Sequence, residues 1–360
     1  MSRYLLIDIG AGTLDLLCYD SATEEHFKAV VMSPVRTRAA MIESTPGNLV
    51  VTGVEMGGGR VSAALKARAA THAVAMTTEA AATIHHDQER VTAAGIKLVS
   101  EQEASRLSGD PVYTPIALAD LEPDRLRRIV EGLGVPFEFD IVGVCAQDHG
   151  VAPPGVSHLD YRHRLFAEAL NRSPFPHTLL YPGDKIPATF NRLRSLARTA
   201  RDIPTREIYV MDSGMAAIQG ACCDPLCRSL SRFMVLDIAT SHTVGAALIE
   251  GEIAGFFEYH THDITAAKLD RLLQALPEGH LAHAKILEEG GHGAYLRRQF
   301  AFSACEIILA TGPKRALLAD SELPYTNGAP WGDNMMTGTV GLLEAIRHSK
   351  QGRLKSTGRR

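Results

Sequence analysis

The sequence predicts a two-domain α/β protein, and three observations carry that reading. The chain has 360 residues, more than one hydrophobic core usually organises, so two domains of about 150 residues each are expected. Short β-branched runs alternate with longer helical patterns along most of its length. One unit, an apolar strand ending in Asp followed by a turn of small residues and a second apolar strand, occurs once in each half.

The elements follow in order. YLLIDIG reads as a buried strand that runs into a turn, and LDLLCYD as the strand that returns. Residues 61–70 and 79–84 have helical patterns, and 139–144 has the apolar run of a strand. Residues 149–187 are rich in Pro and Gly, the signature of loops, around a helix at 161–169. Residues 207–211 form a strand and 213–223 a helix of small residues. CCDPLCRSLS breaks the pattern, and a second strand set follows at FMVLDIA and VGAALIEGEIAGFFEYH. Helical patterns resume at 266–276, 294–305 and 337–348. The break at 224–231 divides the chain into domain I, residues 1–228 plus 325–350, and domain II, residues 229–324. Residues 351–360 form a basic tail.

Composition excludes several classes. Hydrophobic residues make up 45% and charged residues 22%, an ordinary globular balance that rules out wholesale disorder. With 37 basic and 41 acidic residues the formal charge is −4, so no basic excess points to nucleic acid. No apolar run approaches the roughly 20 residues of a membrane helix, and Asp8 arrives too early for a signal peptide. The six cysteines lack the density of a disulfide framework. A reduced, cytoplasmic protein is expected, with neither nucleic acid nor membrane as its partner.

The chemistry gathers first at DIGAGTLD, Asp8 to Asp15. Glycines let consecutive N–H groups converge on an anion, and the Thr13 hydroxyl adds a donor. Asp8, at the strand end, suits Mg²⁺ held through water, since that ion keeps most of its hydration. The exit by a strand separates this turn from the GxxxxGK[ST] loop, which is absent. The alternative is a plain β-hairpin with a Gly-rich turn. LDIATSHT repeats the device around Asp237, with Ala239 where a Gly is expected. Two such aspartates suggest two jaws on one phosphate chain.

These segments resemble the ATPase superfamily shared by actin, the heat-shock chaperones and the sugar kinases. DIGAGTLD looks like its first phosphate loop, DSGMAAIQG its first connecting helix, LDIATSHT its second phosphate loop, IILATGPKRALL its adenosine segment and WGDNMMTGTVGLLEA its second connecting helix. The usual Gly pair of the adenosine segment is reduced to Thr311-Gly312. The resemblance implies an actin-like ATPase, ribonuclease H-like fold with Mg-ATP in an interdomain cleft. Gly10, Ala11, Gly12, Thr13 and Asp15 would hold phosphate on one side, and Thr240, Ser241, His242 and Thr243 on the other. Thr311, Gly312, Pro313 and Lys314 would receive the adenosine. Asp8 and Asp237 would hold Mg²⁺ through water and orient the attacking water, with Asp212 as general base. Within the superfamily, MGGG, QDHG, GFFEYHT, TGPKRA and GDNMMTG resemble a prokaryotic family labelled pyruvate formate-lyase activating proteins. A radical S-adenosylmethionine activase needs Cys-x3-Cys-x2-Cys thiolates for its cluster. Cys222, Cys223 and Cys227 offer only Cys-Cys-x3-Cys, so radical chemistry is not expected.

Other features carry chemistry. Glu258, His260 and His262 alternate along a strand and would share one face. They are either metal ligands for zinc or iron or a hydrogen-bonded polar edge. QDHG places Asp148 and His149 at a strand end, facing the cleft or bracing the loop. Met56-Gly57-Gly58-Gly59 precedes a helix and is either an anion-binding turn or a flexible one. His85 and His86 read as surface residues at a helix end. Three functions compete: slow ATP hydrolysis coupled to domain closure that activates a partner enzyme, a small-molecule kinase, and a non-catalytic nucleotide-binding scaffold or filament subunit. The fold permits all three.

Overall fold

In the computed structural model, which describes residues 2–357, the chain begins with an antiparallel meander. Strands β1 (Arg3–Ile9), β2 (Thr13–Asp20) and β3 (His26–Met32) pair in sequence, with Asp8 opposite Asp15. Burial decides the order: Leu5, Leu6 and Ile7 are fully enclosed, as befits a central strand, whereas β3 is an exposed edge carrying Phe27, Val30 and Met32.

Four short parallel strands then form a separate sheet: β4 (Asn48–Gly53), β5 (Val74–Thr77), β6 (Ile96–Val99) and β7 (Tyr113–Leu118), in the order β6-β5-β4-β7. The helix Gly59–Ala69 connects two of them. This sheet has its own core around Ile42, Leu49, Val51, Leu65 and Met76. The helical patterns at 61–70 and 79–84 lie in this region, but its strands leave little trace in the sequence. They are four to six residues long and interrupted by Asn, Thr, Lys and Pro.

The chain returns to the first sheet as β8 (Ile141–Ala146), parallel to β1, then β9 (Leu180–Pro182) and β10 (Glu207–Asp212). Its order is β3-β2-β1-β8-β10-β9. The second sheet comprises β11 (Arg232–Ile238), β12 (His242–Ile249), β13 (Glu252–His260), β14 (Gly293–Leu296), β15 (Ile308–Thr311) and β16 (Thr326–Asn327). Its order is β14-β13-β12-β11-β15-β16, with β15 parallel to β11. Both sheets therefore share a three-stranded antiparallel meander with parallel pairing beside its first strand, and each adds one antiparallel edge strand, β9 on β10 and β14 on β13. This duplication is the actin-like ATPase, ribonuclease H-like fold.

The two halves share one core, in which Leu6, Val144 and Ile218 pack together with Val235, Leu248 and Leu343. Two helices hold it, Ser213–Ala221 and Thr337–Thr357. They cross backbone to backbone: a Cβ on Gly220 would collide with the Thr337 carbonyl, and one on Gly341 with the Ala216 carbonyl. Among the described residues no helix is long and apolar enough to cross a membrane.

One element differs in kind from expectation. Residues 294–305 are not a helix. Gly293–Leu296 is a strand on β13, with Tyr295 opposite Phe256, and a 3-10 turn follows at Phe302–Ala304. Gly290, Gly291 and Gly293 precede the segment, and pairing with the sheet edge overrides its helical spacing. The helix expected at 161–169 extends over His158–Arg172, capped by the Ser157 hydroxyl at the Asp160 N–H.

Candidate functional site

A cleft of about 640 Å³ opens where the two sheets and the inserted sheet meet. The β1–β2 turn forms one wall and the β11–β12 turn the other; Met56–Gly59 and the start of the Thr337 helix close the ends. In these turns the Gly10 N–H is spent on Thr13 O and the Ala239 N–H on His242 O, both at 3.0 Å. Among the described residues the N–H groups of Ala11, Gly12, Thr240 and Ser241 have no intramolecular acceptor.

Three carboxyl groups converge on this region. Asp8 ends β1, and burial pushes it up to about 7, with the nearby charges of Asp237 and Asp212 adding to the rise. Asp15 lies beside it on β2, buried, with Oδ1 lacking any hydrogen-bond partner. Burial and the Asp8 charge push it up to about 8. Asp237 ends β11 and accepts the Thr311 hydroxyl at 2.7 Å; burial raises it to about 6. Among the described residues none of the three is ion-paired to Lys or Arg. The desolvation of the three carboxylates is therefore offset by no directly paired cation; the charges of Arg192 near Asp8 and Arg315 near Asp237 oppose it only in part. A divalent ion fits the hard oxygen ligands, and the free N–H groups beside them suit an anion.

Asp212 has a different setting. One of its oxygens caps the helix Ser213–Ala221 at the Met215 N–H, and the other accepts from Arg162 Nη2 at 2.9 Å. It stands behind the cleft wall with both oxygens engaged, so the geometry gives no support to the general-base role expected of it. Arg162 is itself buried and extends its other arm to Glu258 Oε2 at 2.6 Å, which ties the first sheet to the second. Burial works against the Glu258 charge, but Arg162 prevails and holds that carboxyl well below its ordinary range.

Gly312 and Pro313 line the cleft, whereas Thr243, Thr311 and Lys314 stand behind it. Thr311 supports Asp237, and Thr243 shares a hydroxyl contact of 3.1 Å with Thr261. The backbone of Gly312 has φ +87°, and an added side chain would run into the Ile238 backbone. Asn334 donates to the Gly312 carbonyl at 3.1 Å, joining the turn after β15 to the segment before the last helix.

Asp148 braces its loop. It accepts the Gly150 N–H at 2.8 Å and the Leu193 N–H at 3.0 Å, while its neighbour His149 faces His292 at 5.7 Å between ring centres. Glu258 and His260 lie on β13, but His262 has left the strand for a 3-10 turn and its ring is exposed. Glu258 is held mainly by Arg162, while His260 stacks on His262 at 5.2 Å between ring centres and approaches His292 with its Nε2. Cys223 donates its thiol to the Gln219 carbonyl at 3.2 Å.

Several residues of the cleft were not singled out in the sequence, or were misjudged. His86, expected at the surface, is half-buried and lies 3.1 Å from both oxygens of Glu55. Arg192 grips Asp120 with two nitrogens, at 2.8 and 3.1 Å, and donates to the Gln147 carbonyl. Asp120 also accepts the Gly57 N–H at 3.1 Å. The MGGG segment is thus tied to the first sheet through one buried ion pair. Arg162 and His292 sit alone in sequence, without a motif around them.

No curated protein matches the chain. Solved structures similar over nearly the whole chain include the PilM–PilN type IV pilus biogenesis complex, at 12% identity, 96% of this chain, 98% of that chain and a TM-score of 0.43. A ROK hexokinase from Thermus thermophilus is similar at 12% identity over 97% of this chain and 99% of that one, with a TM-score of 0.31. A Bacteroides thetaiotaomicron protein with actin-like ATPase fold and unknown function is similar at 8% identity over 95% of each chain, with a TM-score of 0.34. The profile of the family described as "Putative pyruvate format-lyase activating enzyme (DUF1786)" matches residues 56–317, well over half of the sequence, and the chain belongs to this family.

Proposed function

We propose that the cleft binds Mg-ATP and that slow hydrolysis, coupled to closure of the two halves, lets the protein act as an activator of a partner enzyme. One observation carries this reading: Asp8, Asp15 and Asp237 share a cleft, unpaired and pushed toward protonation, beside turns that present free N–H groups. A Mg²⁺ ion would satisfy the carboxylates, and the turns would accept the phosphate oxygens. Asp8 and Asp237 would hold the ion, and it would screen the phosphate charge. Gly10 to Thr13 and Thr240 to His242 would orient the phosphate chain, while Gly312 and Pro313 would receive the adenosine.

Slow turnover is favoured by the residues around the acids. Asp212 stands behind the cleft wall, and each oxygen of Asp212 and Asp148 already accepts one hydrogen bond, so neither is aimed at an attacking group. The family's description names an activating enzyme, and without the Cys-x3-Cys-x2-Cys motif the proposed activation is mechanical, not radical. A small-molecule kinase is the second reading, favoured by the extension of the cleft toward Glu55, His86 and His158 on the side of the inserted sheet. ATP hydrolysis by the purified protein, alone and with a metabolite mixture, distinguishes them. A slow rate that stays flat supports the activator; stimulation supports the kinase; no Mg-dependent hydrolysis under any condition removes both.

A further inference from the structure

Three imidazoles from the second sheet come together at the cleft. His242 opens β12 and His260 closes β13, and the register sets them directly opposite each other. His292 reaches them from the segment before β14, where its N–H donates to the Glu258 carbonyl at 2.8 Å. The ring centres are 4.4 to 4.9 Å apart. His260 Nε2 and His292 Nε2 approach to 3.2 Å, and one ring nitrogen from each of the three lies within 4.8 Å of the others. Among the described residues no other three His, Cys, Asp or Glu side chains converge in this way.

The nitrogens are poorly satisfied by protein alone. His242 Nε2 is buried without a hydrogen-bond partner, and His292 Nδ1 has only a long contact with a carboxylate, whereas buried ring nitrogens are ordinarily satisfied. The other nitrogen of the His242 ring lies 2.9 Å from Ser241 Oγ. Glu258 Oε1 lies 3.5 Å from His292 Nδ1, on the far side of that ring from the His260 contact. A carboxylate behind a ligating imidazole is the usual outer support of a metal histidine. Metal–nitrogen bonds of 2.0–2.1 Å in a tetrahedron separate ligand nitrogens by about 3.3 Å, close to the 3.2 Å observed.

We infer that His242, His260 and His292 hold a divalent transition-metal ion of the zinc or ferrous class, with a coordination position open to the cleft. Three imidazoles suit these ions and not Mg²⁺ or Ca²⁺, and three protein ligands leave a place for water or an oxygen of a second substrate. This site adjoins the one proposed for Mg-ATP and shares with it the His242 end of the β11–β12 turn, but its ligands are imidazoles where those of Mg²⁺ are carboxylates. It also differs from the Glu258, His260, His262 set expected from the strand pattern. Glu258 is committed to Arg162 and supports His292 from behind, and His262 faces Asp263 at 3.3 Å.

The test is metal content of the full chain, purified without chelator from medium supplemented with zinc and iron, and then stripped and reloaded with Zn²⁺, Fe²⁺ or Co²⁺. Wild type is expected to carry about one equivalent and to melt higher with Zn²⁺ than without, because binding energy is folding energy. His242→Ala, His260→Ala and His292→Ala should each lose the ion and the Zn²⁺-induced rise in melting temperature, while His262→Ala keeps both. Glu258→Gln should weaken Zn²⁺ binding by roughly 10–100-fold. Comparing each variant with metal-stripped wild type, by circular dichroism and melting, separates lost metal from a lost fold. Wild type that takes up none of the three metals on reloading overturns the assignment. So does a His262→Ala variant that loses metal while folded His242→Ala retains it.

Discussion

Removing the guanidinium of Arg162 tests how the two halves are joined. Arg162 is 4% exposed and holds Asp212 of the first sheet and Glu258 of the second at 2.9 and 2.6 Å. Arg162→Met keeps the apolar stem but removes the guanidinium, which lies over the Phe166 ring at 4.3 Å, and leaves two carboxylates buried without their cation. Breaking a buried pair in this way costs about 3–5 kcal/mol, which corresponds to a fall in melting temperature of roughly 10 °C for a chain of this size. The pH dependence identifies the cause. In the wild type Arg162 depresses the Glu258 pKa, so that group contributes stability above its unfolded value of 4.5, which is lost as pH falls through the folded value. In the variant both acids are expected to have raised pKa values. Their penalty is then largest near neutral pH and relieved by protonation, so the deficit should shrink from pH 7.5 toward pH 5. Glu258→Gln in the Arg162→Met background should recover part of the loss at pH 7.5. Thermal melts by circular dichroism across this range provide the assay. A variant that melts with wild type at pH 7.5, or a deficit that does not change with pH, would refute the reasoning.

Three further outcomes are expected. Asp15→Asn should raise the melting temperature of the ligand-free protein at pH 8 by several degrees. The raised folded pKa of Asp15, about 8, means that its contribution is full below about pH 4 and lost as pH rises through 8; a fall at every pH would show that the carboxyl is a structural acceptor. Gly341→Ala should destabilise the fold by more than the 1–3 kcal/mol typical of overpacking, because its Cβ would meet the Ala216 carbonyl; urea unfolding measures this, and a neutral result contradicts the crossing. Gly312→Val should disturb folding as well as any nucleotide contact, given φ +87° and the Ile238 backbone beside it. Asn334→Ala, which frees the Gly312 carbonyl, is the gentler probe and should weaken ATP binding with little change in melting; unchanged affinity removes the adenosine assignment.

The sequence was most legible where local chemistry and fold agree. Both strand–Asp–turn–strand units, the small-residue helix after Asp212 and the final helix stand where their patterns place them. The inserted sheet was not legible, because strands as short as VAMT and IKLV have no period to read. At 294–305 the helical spacing was real but local, and pairing with β13 decided the outcome. The candidate site divides in the same way. Residues within turn motifs could be named from their neighbours. Arg162, Arg192 and His292 could not, because each acquires its partners only through contacts over 32 to 96 residues of separation. The strand pattern joined His260 to His262, but the turn that ends β13 turns His262 outward, and the fold supplies His242 and His292 in its place.

The central claim, one Mg-ATP shared by Asp8 and Asp237, is tested most directly by calorimetric titration of ATP into wild type, Asp8→Asn, Asp237→Asn and the double variant, each with and without Mg²⁺. The account predicts Mg-dependent binding to wild type, a loss of at least about tenfold in either single variant, and a double variant little worse than either, since both act through one ion. Wild type that binds no Mg-ATP, or folded single variants that bind it as wild type does, would contradict the account.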